Sequence, residues 1–547
     1  MNPNGGWGIL DAMGKRLLLV LLACVVAACG AKPLADSTNF LRLNLYTEPP
    51  SLDSRKATDA TSMNVLMMLF EGLTRMGEDE MPHPAAAEKI AISEDGRTYT
   101  FTLRDACWSN GEPVTSEDFL YAWQSMLDPK FPGLFAYKLY VIENAEEVKL
   151  GKLPMSALGV KAPDAKTLVV TLKYPTPYFL ELTAFPTFYP LYKPSDVANP
   201  EWAAEAGPLY VSNGPFQLKM WEHESEIVVT KNPNYWDAAA VKLDGLHLAM
   251  IDDTTTEFYM FEMNELDWSG SPLSNLPPEF IPALIREGKA HFYPAAASYY
   301  YKINTEHFPL NNANIRKALG YSINRKDIVT HITQAGQQPA TALVPEMRGW
   351  SPPSHLFPDG DVEEAKKLFA KGLAELGITA KEFPPISISY NTNREHQKIA
   401  QAIQQQWKEV LGIEVQLVHY DWKVYLSKIS NQDYQIGRMG WIGDFNDPVS
   451  FLEPFKFRND PKKGGNNDTG WERPEYIALL DAANQELDLQ KRAQLLREAE
   501  AILIDDMPVI PLYFLMYGYL KKPYVHGVNL SSLGIADFKH AYIEREP

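Results

Sequence analysis

The densest run of chemistry-capable residues is Arg438-Met-Gly-Trp-Ile-Gly-Asp-Phe-Asn-Asp-Pro448, which sets a guanidinium ahead of the carboxylate of Asp444. Residue type alone leaves both open. Asp before Phe-Asn-Asp-Pro is also ordinary turn chemistry, and an arginine there is also a strand residue in a salt bridge. His396 begins a helix, whose free amides and dipole favour an anion; an exposed first-turn histidine is the alternative. The common local signatures of catalysis are absent from the sequence: no phosphate-binding loop, no Gly-x-Ser-x-Gly, no His-Glu-x-x-His and no cysteine pair at zinc spacing. Asp359-Gly-Asp361 lacks calcium-loop spacing, and Asp252-Asp253 and Asp505-Asp506 are sequence neighbours in a chain with 69 acidic residues. Two distant carboxylates leave no local mark, so a hydrolase stays open at this point.

The elements around these residues read as mixed α and β. Ile386 to Tyr390 alternates as a strand, and Asn391 to Glu395 is a turn. His396 to Leu411 is helical, with Ile399, Ile403, Trp407 and Val410 on one face, and Gly412 stops it. Ile413, Val415 and Leu417 alternate again. Strand–helix–strand implies a parallel crossover in an α/β sheet, whose sites lie at the carboxyl ends of strands. Asn391 to His396 stands at such an end, followed by Trp422 and then Tyr434 to Phe451. Earlier in the chain, strands are expected at Thr98–Leu103, Leu168–Leu172 and Ile227–Thr230. Ser116 is expected to cap a helix through Phe119, Leu120 and Trp123.

With 547 residues the chain has room for three or four domains, and 45% hydrophobic with 22% charged residues places it among globular proteins. A formal charge of −18 repels phosphate backbones, which excludes nucleic acid as an expected partner. Aromatic residues reach 12%, with 27 Tyr, whose polar tips suit a half-wet cleft as well as a large core. Lys15 and Arg16 precede the apolar run Leu17–Ala28, too short to span a bilayer and right for a secretory signal. Met13-Gly-Lys-Arg opens a compact signal by itself. Val26-Ala27-Ala28-Cys29-Gly30 resembles a bacterial lipobox, in which Cys29 is lipidated and becomes the first residue; an ordinary signal cleaved nearby is the alternative. Cys107 is then left without a partner, and no intramolecular disulfide is expected.

Longer stretches carry a resemblance. Ala87 to Gln124, with Tyr-Thr-Phe-Thr-Leu-Arg-Asp-Ala-Cys-Trp-Ser-Asn-Gly-Glu-Pro-Val-Thr-Ser-Glu-Asp-Phe, is similar to the signature of the large solute-binding proteins of peptide ABC transporters. Phe70-Glu-Gly-Leu73, Asn213-Gly-Pro-Phe216, Asn232-Pro-Asn-Tyr-Trp236, Tyr299-Tyr-Tyr301, Arg316-Lys-Ala-Leu319 and Gly440–Pro448 follow in order, and the whole is most similar to the family's oligopeptide-binding branch. The resemblance implies an α/β type II periplasmic-binding-protein fold: two hinged lobes plus an extra domain. After a signal over 1–29, one lobe is expected to take residues 30–70, 195–296 and 517–547. The extra domain takes 71–194 and the second lobe 297–516. It implies a monomeric, lipid-anchored, non-enzymatic protein of the bacterial envelope. Such a protein captures peptides of roughly three to five residues for a membrane permease and needs no metal or cofactor. A lipid-anchored hydrolase, or a binder of murein peptide, a nickel chelate or a sugar, are the alternatives.

By the same resemblance Asp444 pairs with a peptide's α-ammonium, so acetylating that amine weakens binding. The backbone of Gly440, Trp441 and Ile442 pairs with the peptide as an added strand. Arg438 and His396 match the positions that receive the α-carboxylate of tripeptides and tetrapeptides. Trp422, Tyr300 and Asn391 match pocket-lining positions. Thr333 replaces a dipeptide-chelating lysine, which implies weak dipeptide binding unless His331 substitutes. Lys302 replaces an acidic pocket residue, which shifts preference toward acidic side chains. Ala297 and Ile442 stand where relatives can carry a disulfide.

Overall fold

The computed structural model describes residues 39–352, 356–458 and 467–545; the signal run and Cys29 lie outside them. Three sheets organise the compact unit from Leu41 onward. The first joins Phe40–Asn44, Gly245–Ala249, Glu226–Lys231 and Phe216–Glu222. The second joins Ala87–Ile92, Thr98–Leu103, Thr167–Thr171 and Val160–Asp164, all antiparallel. The expected strands at 98–103, 168–172 and 227–230 appear within one residue of their read positions.

Beside the second sheet runs the helix Ser116–Leu127, which buries Phe119 and Trp123. Its cap is Thr115 rather than Ser116. The Asp118 carboxylate reaches back to accept from the Thr115 amide at 2.8 Å and hydroxyl at 3.1 Å, so the turn closes one residue earlier.

The third sheet runs Trp268–Gly270, Val509–Lys521, His291–Ile303, Ile436–Ile442, Ile386–Asn391, Val415–Tyr420, with Gln338–Pro339 added against Val509–Lys521. Ile386–Asn391 and Val415–Tyr420 are parallel, with Asn391 beside Tyr420. The helix between them, Arg394–Leu411, buries Ile399, Ile403 and Trp407. At about 1.5–3 kcal/mol per large apolar side chain, that face anchors the helix on the sheet. Gly412 ends it at φ +70°, a left-handed conformation that glycine adopts without a Cβ clash.

His291–Ile303 and Val509–Lys521 pair in two blocks. His291–Pro294 faces Met516–Tyr519, and Ser298–Lys302 faces Val509–Phe514, with the register shifting between them. Across the sheet from 298–303 lies Ile436–Ile442, with Ala297 directly opposite Ile442. On its other side that strand meets Ile386–Asn391 only at Ile436 and Gly437. From Arg438 to Ile442 the strand therefore has no neighbouring strand on that edge among the described residues.

Candidate functional site

The two ends of that edge, Arg438 and Ile442, line a cleft of two adjoining compartments, whereas Gly440 lines neither and Trp441 lines a separate cavity. One, about 700 Å³, is lined by Arg438, His396, Arg394, Glu395, Tyr299, Thr333 and Tyr513. The other, about 450 Å³, is lined by Ile442, Gly443, Asp444, Phe135, Phe185 and Tyr517. Ser271 and Asn275 border both. Four residue steps along the strand carry it from Arg438 to Ile442, about 13 Å at the usual rise, which is the length of a four- to five-residue extended peptide.

Arg438 is placed by the strand opposite Tyr301, and its guanidinium lies over the Tyr299 ring at 4.6 Å. Its Nη1 donates weakly to Asn391 Oδ1 at 3.4 Å. The buried Nε has no hydrogen-bond partner, and no ion pair holds the side chain among the described residues. A buried donor left in this way favours an anion that can fill it. Burial pushes the Glu395 carboxyl up, while Arg438 holds it partly down. Arg394, exposed at the helix start, adds a second cation that the sequence reading did not single out.

His396 lines the same compartment but differs from its expected role as a cation. Burial, with the Arg438 charge beside it, lowers the imidazole pKa to about 3, so the ring is neutral near pH 7. Its Nδ1 faces the Tyr299 hydroxyl at 3.2 Å. Nor are the first amides of its helix free for an anion: Asn393 Oδ1 accepts from the Glu395 and His396 amides at 2.8 and 3.1 Å. His396 can still contribute a neutral hydrogen bond.

Asp444 stands just past the strand, fixed by its amide donating to Ser450 Oγ at 2.8 Å. Its carboxylate is already engaged. Oδ1 pairs with Lys138 Nζ at 2.7 Å, and Oδ2 accepts from the Tyr137 hydroxyl at 3.3 Å. Phe445 next to it stacks face to face on Tyr178 at 4.0 Å. The Asn446 amide donates to Glu181 at 2.8 Å, and Arg348 pairs with Glu181 at 3.2 Å. Residues 137–181 thus close over the 348 and 444–446 segments.

Gly440, Trp441 and Ile442 present the unpaired edge, with Trp441 Nε1 held by the Ser450 carbonyl at 2.8 Å. Asn391 sits beside Arg438. The other matches fall differently. Tyr300 is buried outside both compartments with its ring edge-to-face with Phe455, whereas its neighbour Tyr299 lines the cleft, because adjacent strand residues face opposite sides. Trp422, half exposed, begins the helix Trp422–Ser430 and stacks on Tyr425, whose hydroxyl donates to the Arg438 carbonyl; it belongs neither to the core nor to these two compartments. Thr333 lines the Arg438 compartment, bonded to Gln337 at 2.9 Å, and His331 is exposed outside it. Lys302 is buried in an ion pair with Asp468 at 2.5 Å. Its charge is balanced internally by Asp468.

Comparison with known proteins agrees with this architecture. The family described as bacterial extracellular solute-binding proteins, family 5 Middle, matches residues 81–463. The chain is 46% identical to the oligopeptide-binding protein OppA of Bacillus subtilis over 546 residues, covering 98% of this chain and 99% of that one. It is 36% identical to the dipeptide-binding protein DppE of the same organism, covering 98% of each. Among solved structures, an oligopeptide-binding protein of Borrelia burgdorferi superposes with a TM-score of 0.79 at 31% identity, covering 92% of this chain and 100% of that one. Haemophilus influenzae OppA in complex with RPPGFSPFR gives 0.76 at 30%, covering 93% and 99%. The fold is the type II periplasmic-binding-protein fold with its extra domain, and the chain belongs to the family 5 bacterial extracellular solute-binding proteins.

Proposed function

We propose that the protein is the substrate-binding component of an ABC peptide importer, which captures oligopeptides of about three to five residues and hands them unaltered to a membrane permease. The observation that carries this reading is the strand edge from Arg438 to Ile442, unpaired among the described residues, whose two ends line a cleft with an unsatisfied guanidinium Nε at one of them. A peptide added as a strand satisfies its own amides on that edge, and its α-carboxylate fills the vacant donors of Arg438. Asn391, Arg394 and neutral His396 flank that end. Asp444 faces the α-ammonium. Thr333 in place of a cation leaves a dipeptide's carboxylate without a close partner.

The lobes divide at the register shift of the long strand pair, near residues 296 and 516, and this pair is the hinge; 71–194 form the extra domain. Cys29 carries the lipid, the protein works as a monomer beside the bacterial membrane, and it breaks no covalent bond. Incubation of purified protein with defined peptides, followed by calorimetry and mass spectrometry, tests this: micromolar or tighter binding with intact peptides is expected. Cleaved peptides would instead establish a hydrolase. Native mass spectrometry of protein from its own host identifies the solute carried, and a murein peptide, metal chelate or sugar there would replace the reading.

A further inference from the structure

Lys138 lies 306 positions before Asp444 and is 1% exposed, yet its ammonium is 2.7 Å from Asp444 Oδ1. Three rings surround it: Phe135 and Phe185, each with its centroid at 4.7 Å, and Tyr137 at 5.3 Å. Carboxylate and aromatic cage together make a site for an ammonium, and the chain fills it with its own. A peptide's amino group that reached the same carboxylate would sit roughly 5 Å from the Lys138 charge in a poorly screened setting, where like charges repel strongly. Burial lowers the Lys138 pKa and Asp444 opposes that fall. Beyond the pair lies a further cavity of about 450 Å³, bordered by Lys138, Asp444, Tyr140, Tyr178, Trp441 and Phe445. A small uncharged group at a peptide's amino end has room there.

We propose that Lys138 is a specificity-determining residue: as an internal counter-ion of Asp444 it takes the place of the ligand's α-ammonium, so that peptides with an uncharged, acylated amino end bind about as well as free amines. This rests on the reading that Asp444 faces the peptide's amino end, and it removes most of the acetylation penalty expected from the family resemblance. The substrate class widens from free-ended peptides to N-acyl peptides, while the carboxylate end stays selective.

The test is calorimetry with tetra-alanine and its N-acetyl twin on wild-type protein, Lys138→Met, Asp444→Asn and the double variant. Methionine suits the aromatic cage, and Lys138→Gln repeats the measurement if it is poorly folded. Acetylation is expected to cost less than about fivefold in the wild type. In Lys138→Met the free amine binds at least tenfold tighter and the acetylated peptide changes less than threefold, so the ratio opens. Adding Asp444→Asn closes it again. A large acetylation penalty in the wild type that Lys138→Met leaves unchanged and Asp444→Asn removes would overturn the role of Lys138 and leave Asp444 as the amine's partner. A ratio that neither substitution moves would overturn the Asp444 reading and this proposal with it. Affinity lost equally for both peptides in Lys138→Met would mark a structural lysine and also overturn it.

Discussion

The two ends of the cleft hold their charges in opposite states. At one end the Arg438 guanidinium rests on Tyr299 with a buried Nε that nothing satisfies; at the other, the Asp444 carboxylate is held by Lys138 and Tyr137. A ligand gains most where it supplies a partner that the empty protein lacks, and little where the protein has already supplied one. If the proposed function holds, affinity is expected to concentrate at the Arg438 end, although family resemblance makes the two ends look equivalent.

Arg438→Met strikes the unsatisfied end and has the largest expected effect. It weakens peptides with a free carboxylate by about 2–5 kcal/mol, the range for removing one partner of a buried charge pair, while C-terminally amidated twins change less than about threefold. Calorimetry on both peptides reads the difference. Asp444→Asn strikes the satisfied end, and its main effect is on stability. It strands a buried ammonium, which costs about 1–3 kcal/mol in chemical denaturation; the usual cost for a fully buried pair is larger, and Asp444 is partly exposed. Lys138→Met in the same chain recovers most of that loss.

His396 sharpens the contrast through pH. Its folded pKa of about 3 lies below the ordinary 6.5, so the unfolded chain binds more protons between these values and stability is lost as pH falls through that window. Denaturation at pH 6.5 and 4.5 is expected to show wild type losing about 1–2 kcal/mol more than His396→Gln. Methylating one central amide nitrogen of a tetrapeptide removes a single bond to the strand edge and costs about 1 kcal/mol in binding. The smallest effect is expected from acidic side chains: since Asp468 neutralises Lys302, replacing one central alanine with glutamate alters affinity less than about threefold.

Local periodicity made the strand–helix–strand unit from Ile386 to Val415 legible, because alternation and the 3.6-residue repeat report burial directly. The helix start was misplaced by two residues, since Asn393 caps through its side chain and draws Arg394 and Glu395 into the first turn. The alternation rule could also have separated Tyr299 from Tyr300, given which strand face meets the cleft; sequence similarity pointed to Tyr300, which lies outside both compartments. The state of His396 was not legible, because it depends on burial against Arg438, a residue 42 positions away in the chain. Lys138 was invisible for the same reason on a longer scale. Nothing in Phe-Ala-Tyr-Lys-Leu marks it as a buried cation until residues 135–185 fold over Asp444. Lys302 shows the converse: similarity marked a changed charge, and only the tertiary structure shows that Asp468 balances it.

The central claim is that a peptide's carboxylate end is fixed by Arg438 while its backbone extends the strand toward Ile442. A crystal structure with tetra-alanine tests it most directly. The α-carboxylate oxygens are expected within hydrogen-bond distance of the Arg438 guanidinium, with peptide amides paired to the 438–442 backbone. A bound peptide whose carboxylate lies away from Arg438, or whose backbone leaves that edge empty, would contradict the account.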